Sequence, residues 1–225
     1  KQYVERYVHA LTHELKAPLA AVRSASELLE APLPEADRAR FAASVREQSE
    51  RMAQMIDKLL ALAAVEHRQR IEQPAEIDVA TLIDAAVAPF ADRDVAVRVR
   101  LATDIPTPRV RGDAFLLRQL LSNLVDNACD FSPPGGTVDV SVTVDADQLH
   151  IAVADRGPGI PDYALPRVFE RFFSLPRPGG RSRSSGLGLA FAAEVATLHG
   201  GDVRLGNRDG GGTLATLELP LAPAG

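Results

Sequence analysis

The sequence predicts an α+β chain of two unlike domains: a helical hairpin over residues 1–70, then an α/β sandwich with a mixed sheet over residues 71–225. Three observations predict it. Val4, Val8, Leu11, Leu15, Pro18, Val22, Ala25 and Leu29 recur at alternating spacings of four and three, and so do Phe41, Val45, Gln48, Met52, Met55, Leu59 and Leu62, which is the pattern of helices that pair along a seam. After residue 70 the pattern changes to short alternating runs mixed with amphipathic stretches. Several of those runs are joined by very short turns such as Asp145-Ala146-Asp147, which link antiparallel neighbours within an otherwise interleaved order.

The first helix should fill residues 1 to about 30 and kink after Pro18, where an N–H is missing. Ala31-Pro32-Leu33-Pro34-Glu35-Ala36-Asp37 reads as the turn before the second helix. Ile56 and Leu60 widen its apolar stripe beyond what one hairpin can bury, so a homodimeric four-helix bundle is expected. His67-Arg68-Gln69-Arg70 and Pro74 close that helix. Beyond it the pattern predicts a strand over 76–79, a helix over 81–90, and a strand over 95–101 alternating through Val95, Val97, Val99 and Leu101. A helix over 113–129, strands over 137–144 and 148–154, a helix over 188–199, and strands over 202–205 and 213–219 follow.

Composition bounds the possibilities. The 225 residues are 46% hydrophobic and 24% charged, enough for real cores and against disorder. The net charge of −5 argues against a nucleic-acid or anionic-membrane surface, so any phosphate binding must come from local geometry. A single cysteine, Cys129, excludes an internal disulfide framework and fits a reducing compartment. No apolar run reaches the ~18 residues of a membrane span. The heptad pattern begins almost at Lys1, so the expectation is a piece of a longer protein in which this helix continues upstream.

Five short motifs carry the chemistry. His13 lies two positions past the seam residue Leu11, on the flank of the paired helices, where a neutral ring nitrogen can meet an electrophile. Glu14 beside it can hold the other ring N–H and raise the nucleophilicity of the free nitrogen. Asn123 and Asn127 are four apart, on one face of the 113–129 helix with Asp126 beside them, and side-chain carbonyl oxygens suit Mg²⁺ accompanied by phosphate and water. Asp155-Arg156-Gly157-Pro158-Gly159-Ile160 follows an apolar strand, and its glycines let backbone approach a flat ligand. Phe169-Glu170-Arg171-Phe172-Phe173 precedes a stretch, residues 174–185, rich in Ser, Arg, Gly and Pro, the composition of a mobile loop. Gly186-Leu187-Gly188-Leu189 opens a helix whose free N–H groups can bind phosphate oxygens. Each alone has an ordinary explanation: a solvated helix face, core aromatics, or a plain turn such as Gly210-Gly211-Gly212-Thr213.

Together, and in this order, they resemble the two-component sensor histidine kinases. Thr12-His13-Glu14-Leu15-Lys16 resembles the phosphoacceptor box, and Asn123 to Ala128 the N box of the histidine kinase and gyrase-type (Bergerat) ATP-binding fold. The turn at Asp155 resembles the first glycine box, the run at Phe169 the F box, Gly186 to Leu189 the second glycine box, and Gly210-Gly211-Gly212-Thr213 the family's last glycine-rich turn. Within the family, Leu-Thr-His-Glu-Leu-Lys together with Asp130-Phe131 resembles the CreC-like sensor kinases. The resemblance implies autophosphorylation on His13 with Glu14 as orienting base, and transfer to an aspartate of a response regulator. It also implies ATP and Mg²⁺ as cofactors, with Asn127 as the metal ligand and Asn123, Asp155, Gly157, Gly159 and Gly186 to Leu189 around the nucleotide. Asp155 would accept the adenine amino group, and residues 174–185 would form the ATP lid. The chain would then be the cytoplasmic portion of a bacterial inner-membrane protein, meeting the membrane only through an upstream segment absent from this chain.

Two departures stand out. Many members carry Lys-Tyr after the N box where this chain has Asp130-Phe131, and the lost cation should weaken nucleotide binding unless Arg171 or a lid arginine substitutes. Ala17 stands where members with phosphatase activity carry Thr or Asn. The rival readings are a gyrase-like ATP hydrolase, which needs a glutamate where this chain has Asn123, and a silent dimerisation and docking module, which needs no glycine boxes.

Overall fold

The computed structural model describes residues 2–102, 108–178 and 184–222; within the first helix its side chains are described at Thr12 and from Leu15 onward. The chain divides into two compact units, residues 1–61 and 62–225.

The first unit is built from α1 (Gln2–Leu29), which runs through Pro18, and most of α2 (Glu35–Glu66). The Pro34 carbonyl accepts the N–H groups of Asp37 and Arg38, each at 3.0 Å, and Glu35 and Asp37 place negative charge in the first turn of α2, where the helix dipole favours it. The described seam residues behave as the spacing requires. Pro18, Ala25 and Met55 are buried, while Leu15, Val22, Leu29, Phe41, Val45, Met52 and Leu59 are half-buried. Leu19, Leu28, Ile56 and Leu60 are exposed, an apolar surface that the unit does not bury.

The second unit begins with the last turn of α2, where Leu62 and Val65 are buried. Its elements in order are β1 (Ala75–Asp78), α3 (Val79–Val87), a 3-10 turn (Ala88–Phe90), β2 (Ala96–Leu101), β3 (Arg109–Gly112) and α4 (Ala114–Phe131). Then come β4 (Thr137–Asp145), β5 (Gln148–Ala154), a second 3-10 turn (Leu165–Arg167), α5 (Gly188–Leu198), β6 (Asp202–Asn207) and β7 (Thr213–Pro220). Five strands form a mixed sheet in the order β2-β4-β5-β7-β6, with β2 and β4 parallel and the other pairs antiparallel. β1 pairs with β3 as a separate antiparallel ribbon. One face of the large sheet is apolar, with Val138, Val140, Val142, Leu149, Ile151, Val153, Leu217 and Leu219 all buried; α4 and α5 pack on this sheet and on each other, and α3 packs on α4.

Three details differ from the sequence expectation. The helix expected from residue 81 starts at Val79, because the Asp78 side chain caps it by accepting the Thr81 N–H at 2.8 Å. The alternation of Val97, Val99 and Leu101 does not mean burial: Val99 and Leu101 are 38% and 48% exposed, because β2 is an edge strand with a partner on one side. β3 was not expected at all, since two of its four residues are arginines.

Candidate functional site

α4 is the element from which the site is assembled. Asp113 caps it, its carboxylate accepting the N–H groups of Phe115 at 3.0 Å and Leu116 at 3.1 Å. The Asp113 N–H in turn donates to Nε2 of His199, 3.0 Å away at the end of α5, while Nδ1 of that ring donates to the Val195 carbonyl at 2.7 Å. The ring is therefore neutral with its proton on Nδ1, and burial holds its pKa below the usual histidine value. Leu117, Leu120, Leu121 and Leu124 fill the core. The neighbouring stripe carries Asn123, Asn127 and Asp130; Asn123 and Asp130 are buried and Asn127 is half-buried. Asn123 lies beside the start of α5, where a Cβ on Gly188 would come 3.6 Å from its carboxamide.

Asp155, at the end of β5, is 4% exposed. Its Oδ1 accepts the N–H of Gly157 at 2.8 Å and of Thr213 at 3.0 Å, and its backbone is tied to β7 and to Arg208 by the Asp155 N–H to Thr213 carbonyl bond (3.0 Å) and by Arg208 Nη1 on the Asp155 carbonyl (2.6 Å). Among the described residues nothing donates to Oδ2, so one oxygen of a rigidly held carboxylate can take an external donor. Gly157 is required by a close approach: a Cβ would fall 2.5 Å from the Phe131 carbonyl at the end of α4. Gly159 lies in the next turn at φ +78, where Asn207 brackets Ile160, accepting its N–H at 2.6 Å and donating to its carbonyl at 2.8 Å. Asn207 and Arg208 are thus supports of this loop that the sequence did not single out, while Thr213 ends the Gly-rich turn that it did mark.

The stretch after Phe173 is anchored at both ends. The Phe172 N–H donates to the Gly186 carbonyl at 2.9 Å. Both residues have positive φ, +62 and +65, a strained conformation for Phe172 and an easy one for glycine. Leu187 is fully buried, and α5 starts at Gly188 with no side-chain cap, which leaves its first N–H groups available for an anion. Arg171 is paired with Glu66 and lies 3.9 Å from Glu194, and Arg177 is paired with Asp130. Residues 179–183 of the expected lid, and the side chains of His13 and Glu14, lie outside the described residues; the backbone at 13 and 14 is helical.

Among the described residues no three His, Cys, Asp or Glu side chains gather to hold a metal. A divalent cation therefore fits here only in the manner of Mg²⁺, with one neutral oxygen such as that of Asn127 and the remainder from phosphate and water. Burial pushes Cys129 up to about 11, so the one cysteine stays a thiol at neutral pH. Taken together, α4, the Asp155 turn and the start of α5 surround a region with a fixed acceptor at one end and helix N–H groups at the other, which suits a purine joined to phosphates.

Residues 4–68 match the His Kinase A (phospho-acceptor) domain, and residues 112–223 match the histidine kinase-, DNA gyrase B- and HSP90-like ATPase family. The sensor protein CreC of Escherichia coli (strain K12) is 46% identical over 224 residues, which cover 97% of this chain and 46% of that protein. The chain belongs to the sensor histidine kinases. Among solved structures, full-length ShkA in complex with AMPPNP is 25% identical, covering 97% of this chain and 46% of ShkA with a TM-score of 0.69. The histidine kinase ThkA, in complex with the response regulator protein TrrA, has the same fold at 20% identity, covering 97% of this chain and 62% of ThkA with a TM-score of 0.76. This histidine kinase chain spans about half the length of its relative CreC.

Proposed function

We propose that the chain is the catalytic core of a sensor kinase that binds Mg·ATP in its second unit, phosphorylates itself on His13, and passes the phosphoryl group to an aspartate of a response regulator. The observation that carries this reading is the Asp155 carboxylate: it is buried, fixed through Oδ1 by two backbone donors, and open at Oδ2. That is an acceptor preorganised for the amino group of adenine, and one that is costly to leave unpaired. Gly157 and Gly159 shape the turn under the base, the N–H groups from Gly186 to Leu189 face the phosphates, and Asn127 holds the magnesium ion, whose charge offsets that of the phosphate oxygens.

Transfer is mostly positioning and charge neutralisation. A ring nitrogen of His13 attacks the γ-phosphorus, the bond to the bridging oxygen breaks, and its electron pair leaves with ADP. Glu14 orients the ring through its other N–H and accepts that proton as the ring acquires charge. Asn123 cannot serve as a base for water, so transfer to a side chain is favoured over the hydrolysis of a gyrase-like enzyme. The exposed apolar residues Leu19, Leu28, Ile56 and Leu60 support a homodimeric bundle, and the need for ATP puts the chain on the cytoplasmic side. No helix among the described residues is long and apolar enough to cross a membrane, so a membrane-anchored sensor would be anchored elsewhere.

The test is incubation with γ-labelled ATP. Acid-labile, base-stable label on the wild type is expected, together with its loss in His13→Ala at nearly unchanged nucleotide affinity. Label that persists in His13→Ala refutes the assignment of the acceptor.

A further inference from the structure

The polar stripe of α4 contains one residue out of keeping with an anionic ligand. Asn123, Asn127 and Asp130 follow at spacings of four and three along one side of the helix. Asn123 lies beside Gly188, and the Phe131 carbonyl lies beside Gly157, so Asn127 and Asp130 fall on the stretch between the two ends of the site. A bare carboxylate there repels a polyphosphate. Asp130 is not bare. It is 8% exposed, with Oδ1 on Arg93 Nη1 at 3.2 Å and Oδ2 on Arg177 Nη2. Arg93 also gives Nη2 to Asp126 at 2.6 Å. Two guanidiniums thus balance two carboxylates, beside a cavity of about 300 Å³ lined by Arg93, Asp94, Cys129, Asp130, Ser132 and their neighbours.

The two arginines differ in what holds them. Arg93 follows the 3-10 turn after α3 and lies over the Phe90 ring at 5.0 Å, so it belongs to the body of the sandwich. Arg177 lies on the stretch between Phe173 and Gly186, and its Nε is buried without an acceptor among the described residues. Its one described partner is therefore Asp130, on α4. Burial, then the neighbouring Asp126 charge, raises the Asp130 pKa against the pull of Arg177 and Arg93; the carboxylate depends on its cations.

We propose that Arg177 is a positioning residue for the nucleotide that acts through Asp130: the pair seats residues 174–178 on α4 and cancels the carboxylate that otherwise opposes the phosphates. The inference rests on reading this site as a nucleotide site. It assigns an affinity-setting function to Arg177, which masks an acidic residue standing where a cation would be the simpler choice. Without Arg177, Asp130 shares one arginine with Asp126, and the stripe between Asn127 and Phe131 carries a net negative charge.

The test is a double-mutant cycle in the full chain with Arg177→Gln, Asp130→Asn and the double variant, measuring Mg·AMPPNP affinity by calorimetry. Arg177→Gln should weaken binding about tenfold or more, because the buried Asp130 carboxylate is left with a shared arginine only. Asp130→Asn should bind within about threefold of wild type, and the double variant should recover to that level. Equal loss from Arg177→Gln in both backgrounds, no loss from it in the wild-type background, or a tenfold loss from Asp130→Asn alone overturns the proposal. A second readout needs no nucleotide: hydrogen exchange of residues 174–178 should quicken in both single variants, and unchanged exchange overturns the seating. Failure of the underlying reading is distinguishable, because it appears in the wild-type arm alone as no binding of AMPPNP.

Discussion

Replacing Asp155 by asparagine tests the base pocket with little disturbance of the fold. The amide oxygen can still accept the Gly157 and Thr213 N–H groups that Oδ1 accepts at 2.8 and 3.0 Å, so the turn keeps its shape. The NH₂ then occupies the place of Oδ2 and faces the amino group of adenine, donor against donor. The loss is one hydrogen bond to a charged acceptor, about 1.5 to 3 kcal/mol, or roughly tenfold to a hundredfold in affinity. A purine with a 6-oxo group presents an acceptor instead, so the ratio of GTP to ATP affinity should rise. The assay is calorimetry with Mg·AMPPNP and its guanine counterpart, with thermal melts to show that the variant folds. Unchanged ATP affinity in a folded variant would put the base elsewhere and remove the observation on which the functional reading rests.

His199 predicts a pH dependence. Burial lowers its pKa, with the Asp113 charge opposing, so the unfolded chain takes up the proton first; this contribution is intact above about pH 6.5 and is lost as pH falls from there towards the folded value, by at most about 1.4 kcal/mol per pH unit. His199→Ala should cost about 1 to 3 kcal/mol by leaving the Asp113 N–H without its acceptor and should flatten that slope; denaturant titrations between pH 7.5 and 5.5 with the same slope in both proteins would refute it. Ala17, exposed on α1, lies one turn after His13 and has no group to position water. Ala17→Thr should therefore speed loss of label from a phosphorylated regulator in the presence of ADP, at a helix cost below ~0.7 kcal/mol; wild type clearing label as fast as the variant sinks this idea.

What the sequence made legible is what local pattern determines. The four-three spacing placed both long helices, and alternation placed β5 at its observed bounds of Gln148–Ala154, because a two-layer sandwich sorts strand residues by face. β3 escaped because Arg109-Val110-Arg111-Gly112 has no strand character of its own: its partner is β1, more than thirty residues earlier. Val99 and Leu101 misled because alternation reports a face, whereas burial depends on what lies against it. The supports of Asp155 were hidden for the same reason, since Thr213 and Arg208 reach it from 58 and 53 positions away. Asp130 read as a lost cation, and only the folded chain brings Arg93 and Arg177 to it.

α4 explains why polar residues are tolerated so deep in this unit. Its leucines at 117, 120, 121 and 124 are buried to 2% exposure or less, which fixes the rotation of the helix about its axis, and the Asp113 cap with its bond to His199 fixes where the helix begins. The stripe of Asn123, Asn127 and Asp130 is therefore aimed by the hydrophobic core rather than by a ligand. Asn123 is 7% exposed, and its carboxamide is not among the fully buried polar atoms that lack a partner, so the amide reaches the solvent side of the helix. Its amide faces the uncapped start of α5 at Gly188. A solvent-reaching amide held by the core, beside helix N–H groups that have no side-chain cap, fits a site whose further hydrogen bonds are supplied by the nucleotide.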